Sequence, residues 1–433
     1  MRSCGVGEGH GPVGRYRTSK SLTMWVSVAM LAAIGLFWFG GAIVWPLWQV
    51  ESTLSGAGVG TGDLPGKGED VVERLGGADN AARKLRLYFR APGSVGSHKV
   101  RAVLLMGYCE DQCVDDLFAV RQHSNPQVRN AVWTALYHAG PHASQLIPNL
   151  IECLGGDDKI ESVRASRILS RIGAPAVDPL VYAVKHEAGS ARELAVLALS
   201  AMREQTAPIL VDLLKEDSHE IVALCARALG FSGSREVVPH VVGLLDHNSD
   251  RVRGEAVRAL GNLYYGRNEM IGLVLPMLHD TSPWVRASTC SALRMMSPND
   301  TKILKKVSLL LDDNSPDVRL EALNSLSGGK YRSPEIASTI RRLARDKNAM
   351  IQSACAFYLV DCGEWQEEGV KVLVRNALAS DPKVAEHAVD LLGDLGTRAQ
   401  SALPDLKALR RHRTLPTRVR YGLDRAIENI ESR

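Results

Sequence analysis

Aromatic side chains are scarce in this chain, at 5 % of residues, and four of the seven Trp crowd into one N-terminal stretch. The remainder packs mainly on Ala, Leu and Val, and Ala and Leu favour helix. Net charge is almost missing as well: 52 Lys and Arg oppose 48 Asp and Glu, leaving +4. A balance so close to neutral does not by itself imply a nucleic-acid partner. Eight Cys occur, none of them in a C-x-x-C. That argues against a zinc ribbon, a thioredoxin-type site and a c-type haem attachment. A P-loop, a Rossmann glycine set, H-E-x-x-H and G-x-S-x-G are all missing too, so no common catalytic motif announces an enzyme.

What is present is a recurring pair, an aliphatic residue usually followed by Arg, that opens a run rich in Ala and Leu. It stands at Val100-Arg101, Val128-Arg129, Val163-Arg164, Ala191-Arg192, Val252-Arg253, Val285-Arg286, Val318-Arg319 and Val419-Arg420, with weaker copies from Ile221, Ile351 and Val384. Successive copies lie 28 to 35 residues apart, the period of a stacked helical solenoid. Residues 234–263 show the unit. Val237, Val241, Leu244 and Leu245 make an apolar stripe at helical spacing, and Asp246 to Asp250 break it. Val252, Ala256, Val257, Leu260 and Leu263 then line one face of a second helix. The breaks agree from unit to unit, as in Asn125-Pro126, Ser282-Pro283, Ser315-Pro316 and Asp381-Pro382. Asn, Ser or Asp before Pro is a helix-start signal.

Two-helix units of this length, with a D-x-x-V-R-x-x-A-x-x-A-L-style second helix, resemble HEAT repeats, particularly the short subgroup first described in phycobilisome lyases. The resemblance spans roughly residues 71 to 433. It implies an all-α chain: a right-handed α-solenoid of about eleven two-helix HEAT-like repeats. Stacking would give a curved rod roughly 100 Å long. In such proteins the repeated Arg bonds a turn Asp of a neighbouring unit, and Asp217, Asp280 and Asp346 are available. The ladder therefore reads as structural and not as a basic binding strip. Cys225, Cys290 and Cys355 fall at core positions of their units. Cys109 and Cys113, four apart, have the spacing to share a helix face, and a ligand or redox pair is only the minor reading there.

The N-terminus adds a different element. From Leu22 to about Val44 the chain is apolar and uncharged, long enough to cross a bilayer. Trp25 stands near one end, Trp45 and Trp48 near the other, where amphipathic rings favour headgroups. The stretch exceeds a signal-peptide core, and the small-residue site Ser55-Gly56-Ala57 comes late. The division expected is a basic cytoplasmic N-terminus (1–20), one transmembrane signal anchor (21–48), a Gly-rich linker (49–70) and the repeats (71–433). Arg2, Arg15, Arg17 and Lys20 precede the span, so the positive-inside rule leaves them in the cytoplasm and the repeats outside it, on the periplasmic side.

Second-helix positions three and six after the opening aliphatic residue are expected to face away from the core. They are Leu224 and Arg227, Glu255 and Arg258, Ser288 and Ser291, Glu321 and Asn324, Ala354 and Phe357, His387 and Asp390. This stripe is mixed in charge and poor in aromatics, unlike a nucleic-acid cleft. Arg227, Glu255, Arg258, Ser288, Ser291, Glu321, Asn324, Phe357, His387 and Asp390 are the candidate contacts for a protein or peptide. Arg410, Arg411, Arg413, Arg418 and Arg420 form one basic patch. Enzymes exist on this fold. The di-iron hydroxylase of deoxyhypusine uses four His-Glu pairs inside helices, whereas His186-Glu187 and His219-Glu220 stand here in turns. The expectation is a membrane-tethered interaction scaffold using the concave surface, without cofactor or metal. The alternative is an enzyme, bilin-lyase-like or a metal-dependent oxidoreductase, acting in the same groove.

Overall fold

The computed structural model describes residues 50, 64–91, 96–327, 334–411 and 415–432. The apolar span at 21–48 and the basic residues before it lie outside the described residues. Among the described residues no helix is long and apolar enough to cross a membrane, and every regular element is helical. The described chain forms two compact units, divided between Leu146 and Ile147.

In the first unit the helices are α1 (Leu64–Arg74), α2 (Ala78–Arg90), α3 (Gly96–Met106), α4 (Val114–Ala119) and α5 (Pro126–Ala139), ending in a 3-10 stretch, Gly140–Leu146. α2 packs on α3, α4 on α5, and α3 lies beside α5. α1 begins inside the segment read as a flexible linker. Val71, Val72 and Leu75, all buried, supply the apolar face that makes a helix there worthwhile.

The second unit continues with α6 (Ile147–Leu154) and α7 (Lys159–Ile172), α8 (Val177–His186) and α9 (Gly189–Ala201), α10 (Ala207–Leu213) and α11 (His219–Leu229), α12 (Val238–Val242) and α13 (Asp250–Leu263). α14 (Ile271–Val274) pairs with α15 (Pro283–Met296), α16 (Thr301–Ser308) with α17 (Pro316–Leu326), and α18 (Pro334–Leu343) with α19 (Ala349–Asp361). α20 (Gln366–Ala377) with α21 (Pro382–Leu395) and α22 (Leu403–Arg410) with α23 (Thr417–Glu431) complete the series. Each second helix, from α7 to α21, also touches the second helix of the next pair. This is the packing that a hairpin with one apolar face requires.

The turns predicted from sequence start these helices. Asn125 accepts from the Gln127 N–H at 2.8 Å and Asp381 from Lys383 at 2.9 Å, and Asp158, at a start that the sequence did not mark, accepts from Ile160 at 2.9 Å, satisfying donors that the first turn leaves free. One copy of the repeated pair is out of register. Asp158 caps α7 two residues earlier than Val163-Arg164 implies, so Val163 is exposed at 38 % and does not open the core stripe. Glu161 holds the equivalent place.

The Arg ladder is structural, with different partners from those named on two rungs. Arg253 grips Asp280 with two bonds of 2.8 Å, and Arg286 grips Asp313 in the same way. Arg319 reaches Asp346 at 2.7 Å. Arg192 bonds Glu220 and not Asp217. In each Asp rung the other Nη caps two carbonyls of the Arg's own turn, as Arg286 does with Asp280 at 2.9 Å and Thr281 at 3.1 Å. The opening residue of a second helix is thus tied to the turn before it and to the turn after it. Serines add bonds between neighbouring second helices: Ser166 donates to the Leu194 carbonyl at 2.9 Å and Ser325 to that of Cys290 at 3.1 Å. Cys225, Cys290 and Cys355 are fully buried, as expected, and burial raises all three thiols, Cys225 to about 12. Cys109 and Cys113 do not share a helix face. α3 ends at Met106, so they sit in the turn between α3 and α4.

Candidate functional site

The second helices of the second unit present a polar face, and its composition follows from helix geometry. A residue six places after the opening aliphatic one lies about 120° from it around the helix and looks outward. Accordingly Arg258 is exposed, while Arg227, Ser291, Asn324, Phe357 and Asp390 are half-buried. A residue three places after is only about 60° away, and it is covered by the adjacent second helix. Leu224 and Ala354 are buried, and so are the side chains of Glu255 (7 % exposed) and Ser288 (5 %). The expectation that both positions face away from the core therefore holds in part. Glu321 and His387, also at the third place, are half-buried, so that place is covered in Leu224, Glu255, Ser288 and Ala354 but not throughout, and the sixth looks outward except at Phe357, which packs against the core.

Three consecutive second helices converge on a charged cluster. Trp284, just ahead of the opening Val285 of α15, is exposed at 41 %. The guanidinium of Arg258 on α13 lies 5.5 Å from the centre of its ring, a cation–π distance. Arg294 on α15 and Arg258 both act on Glu321 of α17. Burial raises the Glu321 carboxyl above its ordinary range, Asp317 adds to the rise, and the two guanidinium groups only partly oppose it. Beneath them, Glu255 Oε2 and Ser288 Oγ have no hydrogen-bond partner. Glu255, Arg258, Ser288 and Glu321 were legible in the sequence through their spacing. Trp284 and Arg294 were not, because they fall one before and nine after the opening residue, outside that rule.

A raised carboxyl has a testable consequence. An acid whose folded pKa exceeds its unfolded one costs stability at neutral pH, and the cost falls as pH drops through the folded value. Glu321→Gln is therefore expected to raise Tm by about 2 °C at neutral pH, and the gap from wild type is expected to close on acidification. Equal Tm values at neutral pH, read by scanning calorimetry, would contradict the burial argument.

At the far end of the unit, α21 and α23 enclose a groove of about 530 Å³ lined by Glu386, Asp390, Thr417, Arg418, Tyr421 and Arg425. Asp390 pairs with Arg425 at 2.7 Å, and Tyr421 is exposed at 74 %. His387, beside the groove on α21, is half-buried and its Nε2 has no partner. Burial lowers this imidazole, against Asp390 and a bond to the Met350 backbone. Phe357 does not join a surface stripe here but packs against the core of the last repeats. The basic patch is only partly assembled. Arg410 is paired with Asp424 at 2.6 Å, Arg411, Arg418 and Arg420 are exposed, and Arg413 lies outside the described residues. His186 packs on Tyr182 and His219 on His247. Among the described residues no group of three or more His, Cys, Asp and Glu is placed to hold a metal.

The family profile of HEAT repeats matches residues 147–230 and 221–294. Residues 147–294 carry HEAT repeats. The matched stretch runs from α6 to α15 and includes the Arg253–Asp280 rung and Trp284. Among solved structures the chain is similar to YibA of Escherichia coli, at 17 % identity over 62 % of this chain and 96 % of that one, with a TM-score of 0.42. It is also similar to a chain in the complex of CpcE and CpcF of phycocyanin lyase from Nostoc sp., at 18 % identity over 52 % and 94 %, with a TM-score of 0.37. No curated protein matches it in sequence.

Proposed function

We propose that this HEAT-repeat chain is a membrane-tethered scaffold whose second-helix face binds a protein or peptide partner. The observation that carries the reading is Trp284, a large aromatic side chain left 41 % exposed with Arg258 laid over it. Trp and Arg are the residues most enriched where binding energy concentrates, and they stand here among carboxylates that suit a mixed polar partner. The apolar segment 21–48 would hold the scaffold at the membrane, with the cationic residues before it in the cytoplasm and the repeats on the periplasmic side.

Mild crosslinking in native membranes, followed by pull-down of the full chain, tests the binding. A reproducible partner is expected with wild type, and recovery should fall about tenfold or more with Trp284→Ala, as for a central interface residue. Undiminished recovery with Trp284→Ala, or no partner at all, removes the support. The anchor is tested apart from the partner. Alkaline phosphatase fused after Arg433 is expected to be active, and an inactive fusion reverses the orientation.

A further inference from the structure

The turn that starts α13 breaks the ladder of the second unit. In the three repeats that follow it, the turn carries an aspartate with two tasks. Asp280, Asp313 and Asp346 pair with the Arg of the preceding second helix, at 2.8, 2.8 and 2.7 Å. Each also accepts the N–H two residues on, from Ser282 at 2.8 Å, Ser315 at 2.9 Å and Asn348 at 2.9 Å. Ahead of α13 that place belongs to His247. Its Nδ1 accepts the Ser249 N–H at 3.1 Å, so the turn is closed in the same way. The rung itself is missing, because Val222 stands on α11 where the other repeats have Arg, and Val222 is buried. A second imidazole meets His247 instead. The ring of His219, at the start of α11, stands edge-on to it with the centres 5.1 Å apart.

We propose that the α11–α13 junction is an acid-sensitive joint in the array, loosened when His247 takes up a proton while the aspartate turns hold. The neutral ring keeps a lone pair on Nδ1 for the Ser249 N–H. The charged ring carries N–H on both nitrogens, and two donors then face each other across the 3.1 Å contact. The ring has to leave the bond, and the turn loses its tie. The surroundings do not reward the charge. His219 from α11 and Arg253 from α13 act on His247, and both are cations in acid. In the following turn Asp280 is held by Arg253, and Asp250 at the head of α13 takes the Ser282 hydroxyl at 2.7 Å. Asp246, beside His247 in the chain, is exposed to water. Burial first, and then His219, keep the imidazole below its ordinary value. The joint is therefore at full strength above about pH 6.5, the unfolded imidazole value, and weakens as pH falls toward the folded one. The aspartate turns keep their charge down to about pH 3.9 and below. Between these limits the His247 turn weakens and those three do not.

Hydrogen exchange of the full chain tests this, read by peptide mass spectrometry at about pH 7.5 and about pH 5.5 and corrected for the intrinsic pH dependence of exchange. Amides of the turn from Asn248 to Arg253 are expected to lose protection about fivefold at the lower pH, within the roughly tenfold that an unfolded value of about 6.5 allows. Peptides carrying the Asp280, Asp313 and Asp346 turns should keep theirs. His247→Asp places the neighbours' acceptor in the turn, and its acid response is expected to vanish while protection at neutral pH stays at the wild-type level. His247→Asn, whose amide oxygen accepts but takes no proton, gives the same comparison without adding a charge. A wild-type turn that keeps its protection at the lower pH overturns the joint, a result that needs no variant to fold. An acid response that survives in both variants also overturns it, since another group then titrates. Equal loss at the three aspartate turns overturns it as well. These readouts involve no partner and no membrane, so they stand apart from the binding role of Trp284.

Discussion

Arg286→Ala is expected to lower the free energy of unfolding by about 3 kcal/mol, the scale for removing one member of a largely buried ion pair. The side chains of Arg286 and Asp313 are only 16 % and 8 % exposed. Truncation removes both 2.8 Å bonds to Asp313 and the two bonds to the carbonyls of Asp280 and Thr281. What is left is a covered carboxylate whose remaining donor is the Ser315 N–H at 2.9 Å. Arg286→Lys should recover less than half of the loss, since one ammonium cannot present the forked donor set. Urea unfolding followed by circular dichroism measures both, and a loss under about 1 kcal/mol, the range of an exposed pair, would show that the rung is ornamental. The same rungs set an acid limit. Burial pushes Asp280, Asp313 and Asp346 up, but the Arg bonds and backbone N–H bonds outweigh it and hold all three below the usual carboxylate range. Their stabilisation is complete above the unfolded aspartate value, about 3.9, and is lost as pH falls through the lower folded values. In Arg286→Ala that acid-dependent part is expected to shrink.

Gly261→Ala reverses the sign that local propensity assigns. Alanine in a helix interior is normally favoured over glycine by about 1 kcal/mol, and Gly261 is inside α13. A Cβ there would stand 2.9 Å from Cα and 3.0 Å from Cβ of Ala292 on α15, and 2.8 Å from the tip of Met295. The Met can move, but the backbone of the next second helix cannot without prying the seam open. A net loss of about 2 kcal/mol is expected. The contact recurs: a Cβ on Gly230 would meet Ala259 Cα at 2.7 Å, and one on Gly393 would meet Ala426 Cα at 3.1 Å. If Gly261→Ala stabilises the protein, the close approach of second helices is not what holds the array together.

These seams also show why some features were legible before the structure and others were not. The core stripe of each unit was readable because helical period alone places Val252, Ala256 and Leu260 on one side. The Asn, Ser and Asp residues before Pro were readable because caps act within a few residues. Val163 was misplaced because an aliphatic residue beside an Arg looks the same whether or not a cap two residues earlier shifts the helix start. Cys109 and Cys113 were placed on a helix because spacing says nothing of where the helix stops.

Hairpin architecture, the periodic placing of the Arg residues and the positions of the lone buried cysteines are properties of short-range pattern, and the amino-acid order determines them alone; the acid that each Arg takes, Glu220 for Arg192 and Asp313 for Arg286, is settled by the stacking. Which outward positions stay open is decided by the neighbour. Glu255 and Ser288 are covered because the next second helix approaches closely, whereas Trp284 and Arg258 remain at the surface. That approach depends on contacts between residues about thirty apart, such as Gly261 with Ala292, and one-dimensional periodicity carries no distance between them.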